Sequence, residues 1–302
     1  MKKQPVLALF LLFLSAAFTN AQRPSPVKQL FPPGTVFHEN ISYAGDTSRH
    51  HLLDIYLPAN AKPGIPLVVW VHGGAWMLND KYADMSYMKN TVKGFIDSGY
   101  ALASIDYRYS TEAVFPAQLQ DCNQTINFLY NHAEKYGFDK NNIALIGFSA
   151  GGHLASLLAL AHNSNVPAFY ADGKKPLFKI KAVLDFYGPS DFMVFAGADM
   201  DKDEPKPITR LLGALPIERP DIAKAASPVT YVDKNDPPFF IVQGEKDESV
   251  PYTQSVLLQS YLKLAGVENE LTIVPGAPHY GPMFDAEEIR LKLFRFLRKH
   301  LR

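Results

Sequence analysis

Six short apolar runs punctuate the chain, at residues 66–71, 101–105, 143–146, 182–186, 239–242 and 271–274. Each is continuous rather than alternating, the pattern of a strand covered on both faces. Between them, apolar positions recur at helical spacing over 87–98, 116–136, 150–161 and 253–265. A last helical stretch follows at 286–300. Pro116 suits a first helical turn and Gly266 a C-terminal stop. Two earlier segments, 36–43 and 52–57, alternate apolar and polar residues and predict antiparallel strands with one wet face. Strands alternating with helices mean βαβ units. The expected fold is therefore α/β, a mostly parallel central sheet flanked by helices, with antiparallel strands at its N-terminal side.

Two segments break this rhythm. Residues 191–226 are long, rich in charge and proline, and show one short helical stretch near 208–212. Long connections of this kind often carry function, and this one is expected to form a partial cap over the carboxyl edge of the sheet. At the other end, Lys2 and Lys3 precede an almost unbroken apolar run over 6–18, followed by Thr19-Asn20-Ala21-Gln22. That three-part layout predicts a signal peptide over 1–21 with cleavage near Ala21, and a secreted or periplasmic protein. A membrane-spanning helix needs about 20 apolar residues, more than this run supplies. Charges or prolines interrupt every later run, so no stable membrane anchor is expected. Residues 22–302 are expected to form a single domain, since no repeat or linker divides them.

Composition narrows the classes further. Lys plus Arg and Asp plus Glu each number 30, for a net charge of zero. Nucleic-acid binders and polybasic membrane-surface proteins show a basic excess, so neither is expected. The one cysteine, Cys122, excludes an internal disulfide. Its neighbours Leu119, Ile126 and Leu129 place it on an apolar helical face, as a small buried hydrophobe.

The chemistry gathers at the ends of the apolar runs. Gly147-Phe148-Ser149-Ala150-Gly151 matches G-x-S-x-G between a predicted strand and a predicted helix. A sharp strand-to-helix turn there lifts the Ser149 hydroxyl above the sheet, at a helix N-terminus that favours developing negative charge. His72-Gly73-Gly74-Ala75-Trp76 follows directly on the strand at 66–71. Adjacent glycines let backbone N–H groups converge on one oxygen, so Gly73, Gly74 and Ala150 are the expected oxyanion donors. His72, beside those glycines, is expected to orient the loop rather than act as a base.

A serine hydroxyl needs a base, and nine histidines compete. His279 alone follows a late apolar strand on a loop that leads into the last helix, where sites of open α/β sheets gather. His153 lies one turn beyond Ser149 and is expected to pack or cap locally. The acid should fall between serine and histidine in the chain. Asp247 does so after the run at 239–242, with Glu245 and Glu248 as rivals on the same loop. Asp236 precedes that strand, and so belongs at the opposite edge. Trp76, Tyr187 and Tyr280 flank this region, either stacking on substrate rings or simply packing. No H-E-x-x-H or C-x-x-C appears, nor a G-x-G-x-x-G or P-loop motif, so no metal and no cofactor is expected.

These segments resemble an α/β-hydrolase of the esterase/lipase superfamily. The similarity is greatest to the BD-FAE family, the bifunctional acetylxylan and feruloyl esterases. It is carried by Val71 to Trp76, Asp106-Tyr107-Arg108, Phe115 to Gln118 with Asp121, Gly147 to Gly152, Asp185 to Pro189, Gly244 to Asp247 with Val250-Pro251, and His279. Gln243 departs from it, since many relatives have histidine there. The resemblance implies a Ser-His-Asp carboxylesterase that works through an acyl-enzyme. Small-acyl esters of plant polysaccharides are the preferred expectation for its substrate. A serine exopeptidase of the prolyl-oligopeptidase type and a non-catalytic binding module on the same fold are the alternatives.

Overall fold

A computed structural model describes residues 26–195 and 206–301. Eight strands form one sheet: β1 (Val36–Ser42), β2 (Leu52–Leu57), β3 (Ile65–Val71), β4 (Ala101–Ile105), β5 (Phe138–Phe148), β6 (Ile180–Phe186), β7 (Phe239–Gly244) and β8 (Asn269–Val274). Their order across the sheet is β1-β2-β4-β3-β5-β6-β7-β8. β2 pairs antiparallel with both β1 and β4, and every later pairing is parallel.

The continuous apolar runs divide by parity. Leu67, Val69 and Val71 of β3 enter one core, while Val68 and Trp70 enter the other. Phe239 and Ile241 of β7 likewise part from Phe240 and Val242. Successive side chains point to opposite faces of a strand, so an apolar residue at every position requires cover on both sides. The helices α2 (Ala117–Asn131), α4 (Ala150–Ala161) and α7 (Thr253–Ala265) supply it on the first face, through Leu119, Ile126, Leu154, Leu158 and Leu258. On the second, α1 (Lys89–Asp97) and α8 (Glu287–His300) contribute Val92, Phe95, Leu293 and Phe296. Each such side chain, once fully buried, stabilises the fold by about 1.5–3 kcal/mol. Cys122 is buried within the first of these cores. Among the described residues no helix is long and apolar enough to cross a membrane.

Several details differ from the sequence expectation. β2, expected to have one wet face, is buried at both parities from Leu53 to Tyr56, and β8, expected to be covered on both faces, is only part-buried up to Ile273. β5 begins at Phe138, five residues before its apolar run, because Ile65 pairs with Phe138 across a register irregularity in β3. The long helix expected over 116–136 breaks at His132 into α2 and α3 (Ala133–Tyr136). At the break the His132 ring bonds the Phe128 carbonyl at 2.8 Å. Within 191–226 there are two short helices rather than one, α5 (Pro207–Leu212) and α6 (Pro220–Ala225), each with proline in its first turn. Residues 196–205 of the expected cap lie outside the described residues, as do residues 1–25 with the predicted signal peptide.

Five strands end at one edge of the sheet and lead straight into candidate chemistry. β3 leads to His72, β5 to Ser149, β6 to Tyr187, β7 to the Asp247 loop and β8 to the His279 loop.

Candidate active site

Ser149 stands between the last residue of β5 and the first of α4, with φ 52° and ψ −116°. That backbone conformation is rare for a residue with a side chain, and the Ser149 N–H is held by the Phe186 carbonyl at 2.9 Å. A Cβ on Gly151 would sit 2.1 Å from the Val71 carbonyl oxygen, so only glycine lets α4 start against β3.

The structure brings Ser149, His279 and Asp247 together across sequence separations of 130 and 32 residues. Ser149 Oγ lies 2.8 Å from His279 Nε2, and His279 Nδ1 lies 2.7 Å from Asp247 Oδ2. A carboxylate only accepts. Nδ1 therefore carries the proton, and Nε2 is left to accept from the serine. Asp247 is itself fixed by three more donors. Its Oδ1 accepts from the Ser249 and Val250 N–H groups at 2.9 and 2.8 Å, and Oδ2 accepts from Gln243 Nε2 at 2.8 Å. Gln243, which in the sequence stood out only as a departure, thus helps to hold the Asp247 carboxylate. Its Oε1 accepts in turn from Ser255 at 2.8 Å.

The rival acids are elsewhere. Glu245 and Glu248 are exposed, and Glu245 accepts from the Gly276 N–H. Asp236 precedes β7 at the far edge, where it faces Asn163. Burial and the nearby Asp233 charge push the Asp236 carboxyl up to about 7. A carboxylate unfolded ionises near 3.9, so the fold favours the protonated form. This contribution to stability is present below about pH 4 and is lost as pH rises to about 7. Asp236→Asn cannot ionise. Its melting temperature should therefore gain on the parent between pH 4 and 7, by on the order of 2 °C, and the gap should then stay level. Thermal melts at pH 4, 5.5, 7 and 8.5 check this, and a pH-independent difference would contradict it.

The oxyanion loop corrects one expectation. The Gly73 N–H donates to Asp84 Oδ2 at 2.8 Å and is not available to a reacting oxygen. Gly74 remains, in a conformation (φ 122°) where a Cβ would lie 2.2 Å from the Leu78 carbonyl oxygen. Its N–H makes no hydrogen bond within the protein among the described residues. The Ala150 N–H opens α4, where no carbonyl lies four residues back inside the helix. Of the three expected oxyanion donors, Gly74 and Ala150 are thus the two whose N–H groups no partner among the described residues takes up.

Asp84 also accepts from the Tyr87 hydroxyl at 2.6 Å, and Tyr87 shares a 2.9 Å hydrogen bond with the Tyr187 hydroxyl. The Tyr187 ring stands edge-on to His279, 5.0 Å between centroids. Burial pushes the Asp84 carboxyl up, opposed by the Gly73 N–H and the Tyr87 hydroxyl. Burial raises both tyrosine phenols as well. Sequence reasoning missed Asp84, which falls in no motif and no periodic run, and saw Tyr87 only as the first residue of the helical stretch at 87–98.

The remaining histidines and aromatics near the site are anchored. His72 stacks on Tyr107 and donates from Nδ1 to the Gly73 carbonyl, while burial lowers its basicity. His153 donates from Nε2 to the Ala226 carbonyl at 2.7 Å and accepts from Trp76 Nε1 at 3.2 Å. Burial pushes it down to about 4, so it is neutral and joins α4, the oxyanion loop and the end of the 191–226 segment. Trp76 and Tyr187 are buried, whereas Tyr280 is 65% exposed at the rim.

Ser149, His279, Gly74, Asp84 and Trp76 line a cleft of about 610 Å³. Tyr87, Tyr187 and Tyr280 gather on the His279 side. Leu78, Phe195, Pro207 and Ile208 bring apolar surface to the same cleft, the last three from the described flanks of the 191–226 segment. Six of the nine left-handed non-glycine residues among the described residues line it: Ala75, Trp76, Asn79, Asp84, Ser149 and Tyr187. Strained backbone concentrates where a structure must aim particular groups. Among the described residues, no group of three or more His, Cys, Asp or Glu is placed to hold a metal ion.

Known proteins resemble this chain over most of its length. Esterase LipQ of Mycobacterium tuberculosis is 32% identical over 244 residues, 78% of this chain and 55% of that protein. An isoprenylcysteine alpha-carbonyl methylesterase of Arabidopsis thaliana is 27% identical, over 78% of this chain and 55% of the plant protein. The chain thus spans a little over half the length of these curated relatives. Among solved structures, a truncated carbohydrate esterase from gut microbiota superposes with a TM-score of 0.78 at 30% identity, covering 88% of this chain and 96% of that one. A bifunctional GH43-CE protein of Bacteroides eggerthii gives 0.79 at 34% identity, over 87% of this chain and 38% of its own. The BD-FAE family model matches residues 53–262, more than half of the chain. On that match and this shared fold, the chain belongs to the BD-FAE family of α/β-hydrolases.

Proposed function

We propose that the protein is a serine carboxylic-ester hydrolase working through an acyl-enzyme. The observation that carries this is the continuous chain Ser149–His279–Asp247, at 2.8 and 2.7 Å, opening on a cleft beside two backbone N–H groups. His279 Nε2 takes the Ser149 proton as Oγ attacks the ester carbonyl. The carbonyl oxygen becomes an oxyanion facing the Gly74 and Ala150 N–H groups, and each such donor is typically worth about 100- to 1,000-fold in rate. The imidazolium, steadied by Asp247, returns its proton to the leaving alcohol as the C–O bond breaks. Water repeats the cycle on the acyl-serine, releasing the carboxylic acid and restoring Ser149.

The leaving alcohol must sit beside His279, which protonates it. That side carries three tyrosines, of which Tyr280 is largely exposed. Exposed aromatic faces and buried hydroxyls suit a sugar alcohol. Small-acyl esters of plant polysaccharides, acetylated or feruloylated, are the substrates this reading favours. A structural neighbour described as a carbohydrate esterase points the same way. Such polymers are met outside the cytoplasm, in keeping with the export layout of residues 1–21.

A hydrolysis panel tests the reading: acetylated xylan, methyl ferulate and p-nitrophenyl esters of rising chain length. The expected result is kcat/KM highest for acetyl esters, falling by at least about tenfold from acetate to octanoate. A pocket gains only about 10- to 200-fold per well-placed methylene, so the trend should be graded. A rise towards long chains would overturn the small-acyl assignment. Peptide turnover without ester turnover would point to an exopeptidase.

A further inference from the structure

We propose that Asp84 is the positioning residue of the oxyanion loop. It binds the Gly73 N–H and so leaves the neighbouring Gly74 N–H as the loop's donor to the reacting oxygen. This rests on the esterase reading above.

In a run of two glycines, either N–H can turn towards the nucleophile, and freedom of that kind is what an oxyanion site must remove. A Cβ on Gly73 would lie 3.5 Å from both Ser149 Cβ and Asp84 Oδ2, so this peptide sits between the two residues. The 2.8 Å bond to Asp84 settles which way it faces. The rest of the loop is pinned to match. Gly74 O accepts from the Met77 and Leu78 N–H groups at 3.0 and 2.9 Å, and the Tyr107 hydroxyl donates to His72 O at 2.9 Å.

Asp84 is in turn held in place. Its backbone is left-handed, with φ 69°, and its second oxygen takes the Tyr87 hydroxyl at 2.6 Å. Through Tyr87 and Tyr187 the same carboxylate reaches the ring packed against His279. One side chain thereby ties the loop that faces the oxyanion to the wall beside the base. A displacement of about 1 Å at such a site costs about 100-fold in rate.

Two variants separate this role from a general structural one. Asp84→Gly removes the carboxylate while tolerating the left-handed backbone. Asp84→Asn keeps one acceptor oxygen for Gly73 and an NH2 that can meet the Tyr87 hydroxyl. With p-nitrophenyl acetate, Asp84→Gly should lower kcat about 100-fold and leave KM within about threefold. Phosphonylation of Ser149 by a p-nitrophenyl phosphonate should slow by a similar factor. Asp84→Asn should recover to within about tenfold of the parent. If kcat of the glycine variant stays within about threefold of the parent, or if the loss lies in KM, the proposal is overturned. An equal loss in both variants overturns it too, since charge rather than an acceptor would then be what matters. Should the glycine variant not fold, Asp84→Ala, which also removes the acceptor, decides by the same readouts: a loss of about 100-fold confined to kcat supports the proposal, and a kcat within about threefold of the parent or a change confined to KM overturns it. A parent that neither hydrolyses esters nor takes the phosphonate fails the esterase reading itself and removes the proposal with it. An active parent with unaffected variants fails Asp84 alone.

Discussion

Replacing Ser149 by alanine should lower kcat on p-nitrophenyl acetate by about 10⁵- to 10⁶-fold and change the melting temperature little. In serine hydrolases whose nucleophile, base and acid act as a unit, loss of the nucleophile costs on the order of 10⁶ in kcat. The residue that remains keeps the left-handed turn (φ 52°) with a small side chain, so the elbow is not repacked. Gly74 and Ala150 still present their N–H groups. A residual rate above the uncatalysed one is therefore expected, about 10³- to 10⁴-fold over water. Cys122 cannot take over, since it is buried and burial pushes its thiol well up. The variant should also fail to take up a phosphonate that labels the parent in one-to-one ratio. Ester turnover within tenfold of the parent would mean that Ser149 is not the nucleophile, whatever its distance from His279.

The fold was legible in the sequence to the extent that burial was two-sided. The runs at 66–71, 101–105 and 239–242 have apolar residues at both parities, and β3, β4 and β7 follow them closely. The helices at 150–161 and 253–265 coincide with α4 and α7, one opened by the serine turn and one closed by Gly266 in a left-handed cap. What stayed hidden was held by partners rather than by pattern. The polar start of β5, Phe138 to Asn142, is a strand because of its place beside β3, not because of its own residues. That Ser149, Asp247 and His279 would come together could be read because each follows a strand at the same edge, in a recognisable chain order. Asp84 could not, since its significance lies in a hydrogen bond to a backbone N–H eleven residues away. For the same reason Gly73 looked equivalent to Gly74. Two adjacent glycines are alike on paper, and only the position of a carboxylate distinguishes them.

Asp247→Asn should lower kcat by about 10⁴-fold while the protein stays folded, and the hydrogen bonds around the site show why. The Ser249 and Val250 N–H groups both donate to Oδ1, so in the variant an acceptor is still required at that position. The amide oxygen of asparagine therefore turns there, and its NH2 takes the place of Oδ2. That NH2 now faces two former donors, His279 Nδ1 and Gln243 Nε2. Gln243 can answer by flipping its own amide, with the Ser255 hydroxyl reversing from donor to acceptor, at the loss of the bond to the Val250 carbonyl. His279 can answer only by accepting at Nδ1, which puts its proton on Nε2. In that tautomer the nitrogen 2.8 Å from Ser149 Oγ is a donor and cannot take the serine proton. Rotamers and packing survive, the general base does not, and a loss of about 10⁴ is the size expected for a wrong tautomer in intact geometry. Stability should change by only about 1 kcal/mol, the worth of a single hydrogen bond. Steady-state kinetics alongside a thermal melt separate the two effects. A loss in kcat below about tenfold would show that Asp247 does not set the His279 tautomer, and would return the acid role to Glu245 or Glu248 on the same loop.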